Sequence, residues 1–302
     1  MSTVETTRSA PPRTTPETSK RRGFPASPWL LLAPSIVFML LLFGWPLLQG
    51  ILAAFRTEGM FTLDHWARMF GDPYFTRAMR NTLLLVVIVV PIQFVLAIGM
   101  ALLLQTRPKF AGTHFYLWAI PLALSELAAG LVWLAIFSPR GYFNSLVSWL
   151  GLGDGIGWLD YDNPTGMLFA VVIAEVWRAT SLVFVIVVAG LQMVPRDYDE
   201  AAQVFGATAW QRLWHVTMPM IRPSLQVALI LRTILAIQVF AVAQALTGRN
   251  FPLLVGETYQ WYVNVQNASV ASALALVVLG ISLVVSIVYL RTLRTEDRGG
   301  VR

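Results

Sequence analysis

The sequence predicts an all-α, polytopic membrane protein of six spanning helices. Three observations carry this. The 302 residues are 56% hydrophobic and only 13% charged, whereas an ordinary soluble domain is nearer a quarter charged. Six apolar stretches reach the ~20 residues needed to cross ~30 Å of hydrocarbon. The 14 Lys and Arg of one set of alternate segments outnumber the 6 of the other, which is the bias that orients spanning helices.

The elements follow in chain order. Residues 1–22 hold twelve Ser, Thr or Pro, too little apolar surface to build a core, so residues 1–25 are expected to be a disordered cytoplasmic tail. Lys20, Arg21 and Arg22 then stand where a cytoplasmic anchor belongs. The six stretches lie at about 29–54, 82–105, 114–137, 166–191, 223–246 and 270–290, within a membrane domain of 26–292. All must be helical, because lipid offers the backbone no partners. Pro34, Pro46, Pro91 and Pro121 fall inside them, where neighbouring helices can re-satisfy the freed carbonyls. Residues 293–302 form a second tail, and the charge bias puts both ends in the cytoplasm. The aromatic residues of the outer loops, among them Trp66, Tyr142, Trp149, Trp158 and Tyr161, suit the membrane interface.

Several chemistries are excluded. Cysteine is absent, and His65, His114 and His215 lie far apart, so neither thiolate chemistry nor a metal cluster is expected. Neither lysine, Lys20 or Lys109, stands in a G-x-x-x-x-G-K-[ST] loop, so the chain has no phosphate-cradling P-loop. No catalytic residue is assigned. The +6 net charge is a consequence of topology, which removes a nucleic-acid reading.

The longest inner loop runs from Gln192 to Arg222. Asp197 with Glu200, and Thr208 with Gln211, read as two capping boxes. Gly206 can end the first helix in a left-handed conformation, and Pro219 is expected to stop the second. Trp210, Leu213, Trp214 and Thr217 share one helical face, which reads as a docking surface.

Glu200-Ala201-Ala202, three residues, Gly206, nine residues, Val216, one residue and Met218-Pro219 resemble the E-A-A-x3-G-x9-I-x-L-P motif. That motif marks the membrane subunits of binding-protein-dependent ABC importers. FTLDHWARMFGDPYFTRAMRNTLL and EVWRATSLVFVIVVAGLQMVP extend the resemblance to sugar permeases of the maltose and glycerol-3-phosphate type, with Ser181-Leu182 in place of the usual Pro-Phe. Ala245-Leu246-Thr247-Gly248 resembles their L-T-G-G-P turn, with Arg249-Asn250 replacing Gly-Pro.

The resemblance implies a type I importer permease of the bacterial inner membrane, with residues 195–222 as its coupling loop. Glu200, Ala201, Ala202, Gly206, Trp210 and Pro219 would dock an ATPase subunit. The implied partners are two such ATPases, a second permease that is related but not identical, an extracytoplasmic solute-binding protein and a sugar or polyol. ATP and Mg would act on the ATPase subunits, and this chain would bind no cofactor.

Four charges fall inside the spans: Glu126, Glu175, Arg178 and Arg232. Each costs ~3 kcal/mol or more in lipid, and helical rise places all four near mid-depth. Glu175 and Arg178, three apart, share a face and can pair, and Arg178 with Arg232 reads as an intramembrane pairing set. Permeases of the resembled type contact substrate from helices three to five, so the resemblance implies that Glu126 and Glu175 lie along a substrate path, where carboxylates can accept hydroxyl hydrogens. The resemblance adds Gln238, Phe240 and Gln244. Two other readings use the same glutamates, as a carboxylate pair in an intramembrane enzyme or as proton sites of a secondary carrier.

Overall fold

A computed structural model describes residues 28–151 and 155–292. The two tails expected at 1–25 and 293–302 lie outside the described residues. The chain divides at Leu48/Gln49 into two units. In the first, Pro28–Met39 is α-helical, Leu40–Gly44 forms a π turn, and the α-helix resumes at Trp45.

The spans are as follows. Span one is Leu32–Phe55, span two Pro73–Gln105, span four Pro164–Gln192, span five Ala209–Ile237 and span six Ala268–Thr292. Span three is a bent pair of helical segments, Ala111–Ala123 and Glu126–Trp149, at 101° to each other. Among the described residues five helices are long and apolar enough to span, and six if the bent pair is one span, which is the number expected from apolar length. Their interruptions were not expected.

Span three breaks because Ser125 caps a new helix. Its hydroxyl accepts from Ala128 N at 3.1 Å, and Glu126 becomes the first residue of the segment Glu126–Phe137. Glu126 is thus not twelve residues deep in one helix, as the unbroken 114–137 stretch implied. Span five breaks too. Its α-helix ends at Ile237, and a short helix restarts at Ala241 and runs to Thr247. The expected helix 223–246 is two helices.

The lower end of span five needs a third correction. Pro219 does not stop the loop helix. Leu213–Thr217 forms a π turn, with Met218 N bonded to Leu213 O. The wider turn moves the preceding carbonyls off the proline ring, so the helix runs through it. The π turn at Leu40–Gly44 precedes Pro46 in the same way.

Within the second unit, spans two and four pack most extensively, and span five leans on both. Ala97, Ala101, Val183, Phe184, Val187 and Ile221 form the core near the long loop. Ala129, Phe137, Met167, Val171, Val242 and Leu246 form the core toward the other end. Gly130 lets the two restarted helices touch: a Cβ there would lie 2.8 Å from Ala245 Cβ and 3.1 Å from Val242 Cα. At that same end, Arg56–Thr57 and Met60–Phe61 form a two-strand hairpin, whose turn uses positive φ at Glu58 and Gly59. The aromatics expected to anchor at the interface divide. Tyr142, Trp149 and Tyr161 are exposed, whereas Trp158 is packed against Phe143 and Phe169.

Candidate functional site

The four intramembrane charges converge. Glu175 has no exposed surface. Arg178, one turn along the same helix, donates to its carboxylate from Nε at 3.1 Å and from Nη2 at 2.9 Å. Arg232 of span five donates from Nη2 at 2.8 Å and from Nε to the Gln93 amide oxygen. Gln93 closes the ring by donating to Glu175 O at 2.9 Å. The Glu175 carboxylate joins spans four and five, Gln93 ties span two to both through Arg232 and the Glu175 backbone carbonyl, and the desolvated charges are offset by direct hydrogen bonds. Gln93 was missed in the sequence, although an amide in the middle of an otherwise apolar span is the signal that marks it.

Glu126 stands at the edge of this cluster. Its Oε1 is 3.9 Å from Arg178 Nη2 and accepts from Phe240 N at 3.3 Å. The break in span five frees backbone donors, and a carboxylate from the break in span three meets one of them. A cavity of about 230 Å³ opens here, lined by Leu122, Glu126, Arg178, Ala179, Leu182, Arg232, Leu235 and Gln238. Glu126, Gln238, Arg178 and Arg232 therefore share one cavity. Glu175 lies behind the guanidinium groups. Phe240 and Gln244 line a separate pocket with Arg249 and Glu257, where Phe240 packs on Tyr259 at 5.2 Å.

The pocket's rim is held by Arg249. It donates to Glu257 at 2.8 and 3.1 Å and lies 3.8 Å above the Tyr74 ring. Hydrogen bonding to Glu257 holds the Arg249 guanidinium above its ordinary pKa. Arg249, the first of the two residues that replace Gly-Pro, thus clamps this loop onto the start of span two, where Asn81 also donates to Pro252 O at 3.1 Å.

The long loop forms two short helices, Arg196–Val204 and the start of Ala209–Ile237. Gly206 joins them at φ +79°. The Thr208–Gln211 capping box is present in both directions. The Asp197–Glu200 box is absent: Pro195 is the cap residue and the helix already begins at Arg196. Asp197 instead lies in the first turn, where its charge favours the helix N-terminus. Asp199, also missed in the sequence, pairs with Arg212 at 2.7 Å and ties the two helices together. Glu200, Ala201, Gly206, Trp210 and Pro219 are exposed, and Ala202 is half-buried. Trp210 and Trp214 pack edge to face at 5.5 Å, while Thr217 turns inward. Val204 and Phe205 at the tip are 85% and 90% exposed. A groove of about 770 Å³ runs between this loop and Gln105–Arg107 at the end of span two.

A family model described as binding-protein-dependent transport system inner membrane component matches residues 110–293. The chain is 32% identical to a sulfoquinovosyl glycerol transport system permease protein of Agrobacterium fabrum, over 89% of this chain and 90% of that protein. It is 33% identical to an sn-glycerol-3-phosphate transport system permease protein of Brucella abortus, over 73% of this chain and 77% of that one. It is 28% identical to a trehalose transport system permease protein of Mycobacterium tuberculosis, over 90% of each. Among solved structures, the fold is similar to a chain of a bacterial alginate ABC transporter in complex with a periplasmic protein. The TM-score is 0.75 at 21% identity, covering 90% of this chain and 96% of that one.

Proposed function

Because this chain belongs to the binding-protein-dependent transport system inner membrane components, we propose that it forms one half of the pore of an ATP-driven importer for a sugar or polyol. The observation that carries this is the loop at 196–217. Two short helices are locked by Asp199–Arg212, and their joint exposes Val204 and Phe205. Exposed apolar tips of this kind are interaction surfaces.

In this reading the loop end faces the cytoplasm, with both termini, in line with the excess of basic residues on that side. Glu200, Ala201, Ala202, Gly206 and Trp210 fit the groove of an ATPase subunit, and Pro219 sits where the docked helix enters span five. Gly206 permits close backbone approach. Two ATPase copies, a second and non-identical permease, and a solute-binding protein on the far side complete the assembly. ATP with Mg is used by the ATPase subunits, and no cofactor is held here.

Solute passes the mid-depth cavity. Glu126 accepts hydroxyl hydrogens, and Gln238 both donates and accepts. Glu175 and Arg232 hold Arg178 in place from behind. Phe240, Gln244 and the Arg249–Glu257 clamp lie on the route from the binding-protein side.

The test is purification of the tagged chain from its own membranes. ATP hydrolysis should travel with it, and should be lost with Glu200→Lys at unchanged membrane abundance. A chain that purifies free of ATPase activity from gently solubilised membranes would sink the reading.

A further inference from the structure

We infer that the cleft where spans two and four leave the apolar layer holds an anionic phospholipid, with its phosphate between Arg107 and Arg196. The inference needs these spans to cross a bilayer and does not rest on the importer reading.

A cavity of about 330 Å³ opens between the last turns of the two spans, room for about ten waters. It is graded in the same order along both. Ala101 and Leu104 of span two, with Val188 and Leu191 of span four, give it apolar walls. Gln105 and Gln192 follow, and Arg107 and Arg196 stand beyond them. Ala101, Val188 and Leu191 belong to the packed core of this end, so the apolar walls are fixed.

No carboxylate lines this cavity. Both arginines are exposed, and among the described residues neither guanidinium has an ion pair or a hydrogen bond. The two arginines also reach the larger groove, where Asp199 and Glu200 stand. Asp199 is already paired with Arg212, and Glu200 forms no ion pair with either arginine. Arg107 has a further peculiarity. Its backbone is left-handed, at φ +53°, where a helix normally ends on glycine or asparagine. An arginine held in that conformation is uncommon, and such strain is kept where the side chain is used.

A phospholipid has the same order of parts as the cavity. Its acyl region lies on the apolar walls and its phosphate reaches the rim. There a guanidinium offers two parallel N–H groups to phosphate oxygens, and the amides of Gln105 and Gln192 donate to the remaining oxygens. Basic pockets between spanning helices suit anionic headgroups for this reason. The headgroup follows from charge. Choline or ethanolamine would bring a cation beside two guanidiniums, with no carboxylate in the cavity to receive it. A glycerol headgroup brings only hydroxyls, so phosphatidylglycerol fits where phosphatidylcholine does not. A free phosphate ion would use the arginines and leave the apolar walls uncovered.

The experiment uses the full chain with whatever subunits copurify, reconstituted in vesicles of phosphatidylcholine with a tenth of phosphatidylglycerol. After gentle release, the retained lipids are counted by native mass spectrometry. The expected result is one phosphatidylglycerol per chain, preferred about thirtyfold over phosphatidylcholine, the effect of two arginines beside an anionic headgroup. Arg107→Gln/Arg196→Gln should lose the preference at an unchanged thermal midpoint, and each single variant should lose part of it. Arg222→Gln/Arg291→Gln removes the same charge at exposed positions outside the cavity and should keep it. Equal retention of the two lipids by the native chain, a result that needs no variant, overturns the inference. Loss of the preference in Arg222→Gln/Arg291→Gln overturns it too, since diffuse surface charge would then be enough. Inorganic phosphate is the last arm. If it raises the thermal midpoint through Arg107 and Arg196 while phosphatidylglycerol is not preferred, the cavity takes a soluble anion and the inference falls. ATPase activity is read on the same preparation, so the importer reading stands or falls separately.

Discussion

Replacing Glu175 by glutamine should be among the most damaging single changes in the membrane domain. The carboxylate accepts from Arg178 at 2.9 Å and from Arg232 at 2.8 Å. Arg232 is 1% exposed, so bulk water replaces the carboxylate poorly. With the carboxylate gone, Arg232 keeps Gln93 alone, and the two guanidiniums face only Glu126, 3.9 Å from Arg178. Breaking one partner out of a buried charge pair costs about 3–5 kcal/mol, roughly a hundredfold to several-thousandfold in the folded fraction. The assay is membrane abundance of the tagged chain, with the thermal midpoint of the solubilised complex. Glu175→Gln should be scarce and unstable. Combining it with Arg232→Gln removes both deeply buried charges and should restore abundance, because neutral amides can hydrogen-bond each other without an unpaired charge. A single variant of normal abundance, melting within about 2 °C of the parent, would refute the reasoning. So would a double variant no better than the single.

Three further outcomes are expected. Gly130→Ala puts a methyl 2.8 Å from Ala245 Cβ and 3.1 Å from Val242 Cα, and should destabilise by about 1–3 kcal/mol, read as a lower thermal midpoint that Ala245→Gly partly recovers. Gly206→Pro should leave membrane abundance unchanged but abolish uptake, since φ +79° is closed to proline; normal uptake would remove the joint from coupling. A reporter active only outside the cytoplasm should be silent when fused after Arg302 and active near Gly155, and the reverse pattern would sink the orientation.

Apolar length was enough to find the five long helices and the bent pair that counts as a sixth span, because a run of about twenty apolar residues has few other fates. It was blind to the breaks at Ser125 and Gln238–Phe240, because hydropathy reports what tolerates lipid and says nothing of hydrogen bonding. Ser125-Glu126 does carry a local sign, a capping residue followed by a charge, and that sign was outweighed by the apolar residues around it. The convergence of Glu126, Glu175, Arg178 and Arg232 was legible as a matter of depth. The division of labour among them was not, since burial of Glu175 depends on Gln93 and Arg232, 82 and 57 residues away along the chain. In the long loop, Thr208–Gln211 was readable because both partners of the box are local. Asp199–Arg212 was not, because it closes only once Gly206 has turned the chain.

The π turn before Pro219 has a mechanical consequence. Had the proline ended the loop helix, a push on Trp210 would be absorbed by a flexible joint before it reached the membrane. Instead Ala209–Ile237 is one helix of 29 residues, about 43 Å long at helical rise. One end carries Trp210 on the exposed loop, and the other ends beside Gln238 in the mid-depth cavity. In the coupling role proposed above, such a helix would act as a pushrod. A tilt of a few degrees about Ile221, where it is held against the core, would move the two ends in opposite directions. Arg232, anchored to Glu175, sits on the cavity arm of that lever, so the force needed to work it is set by the same charge cluster that shapes the cavity.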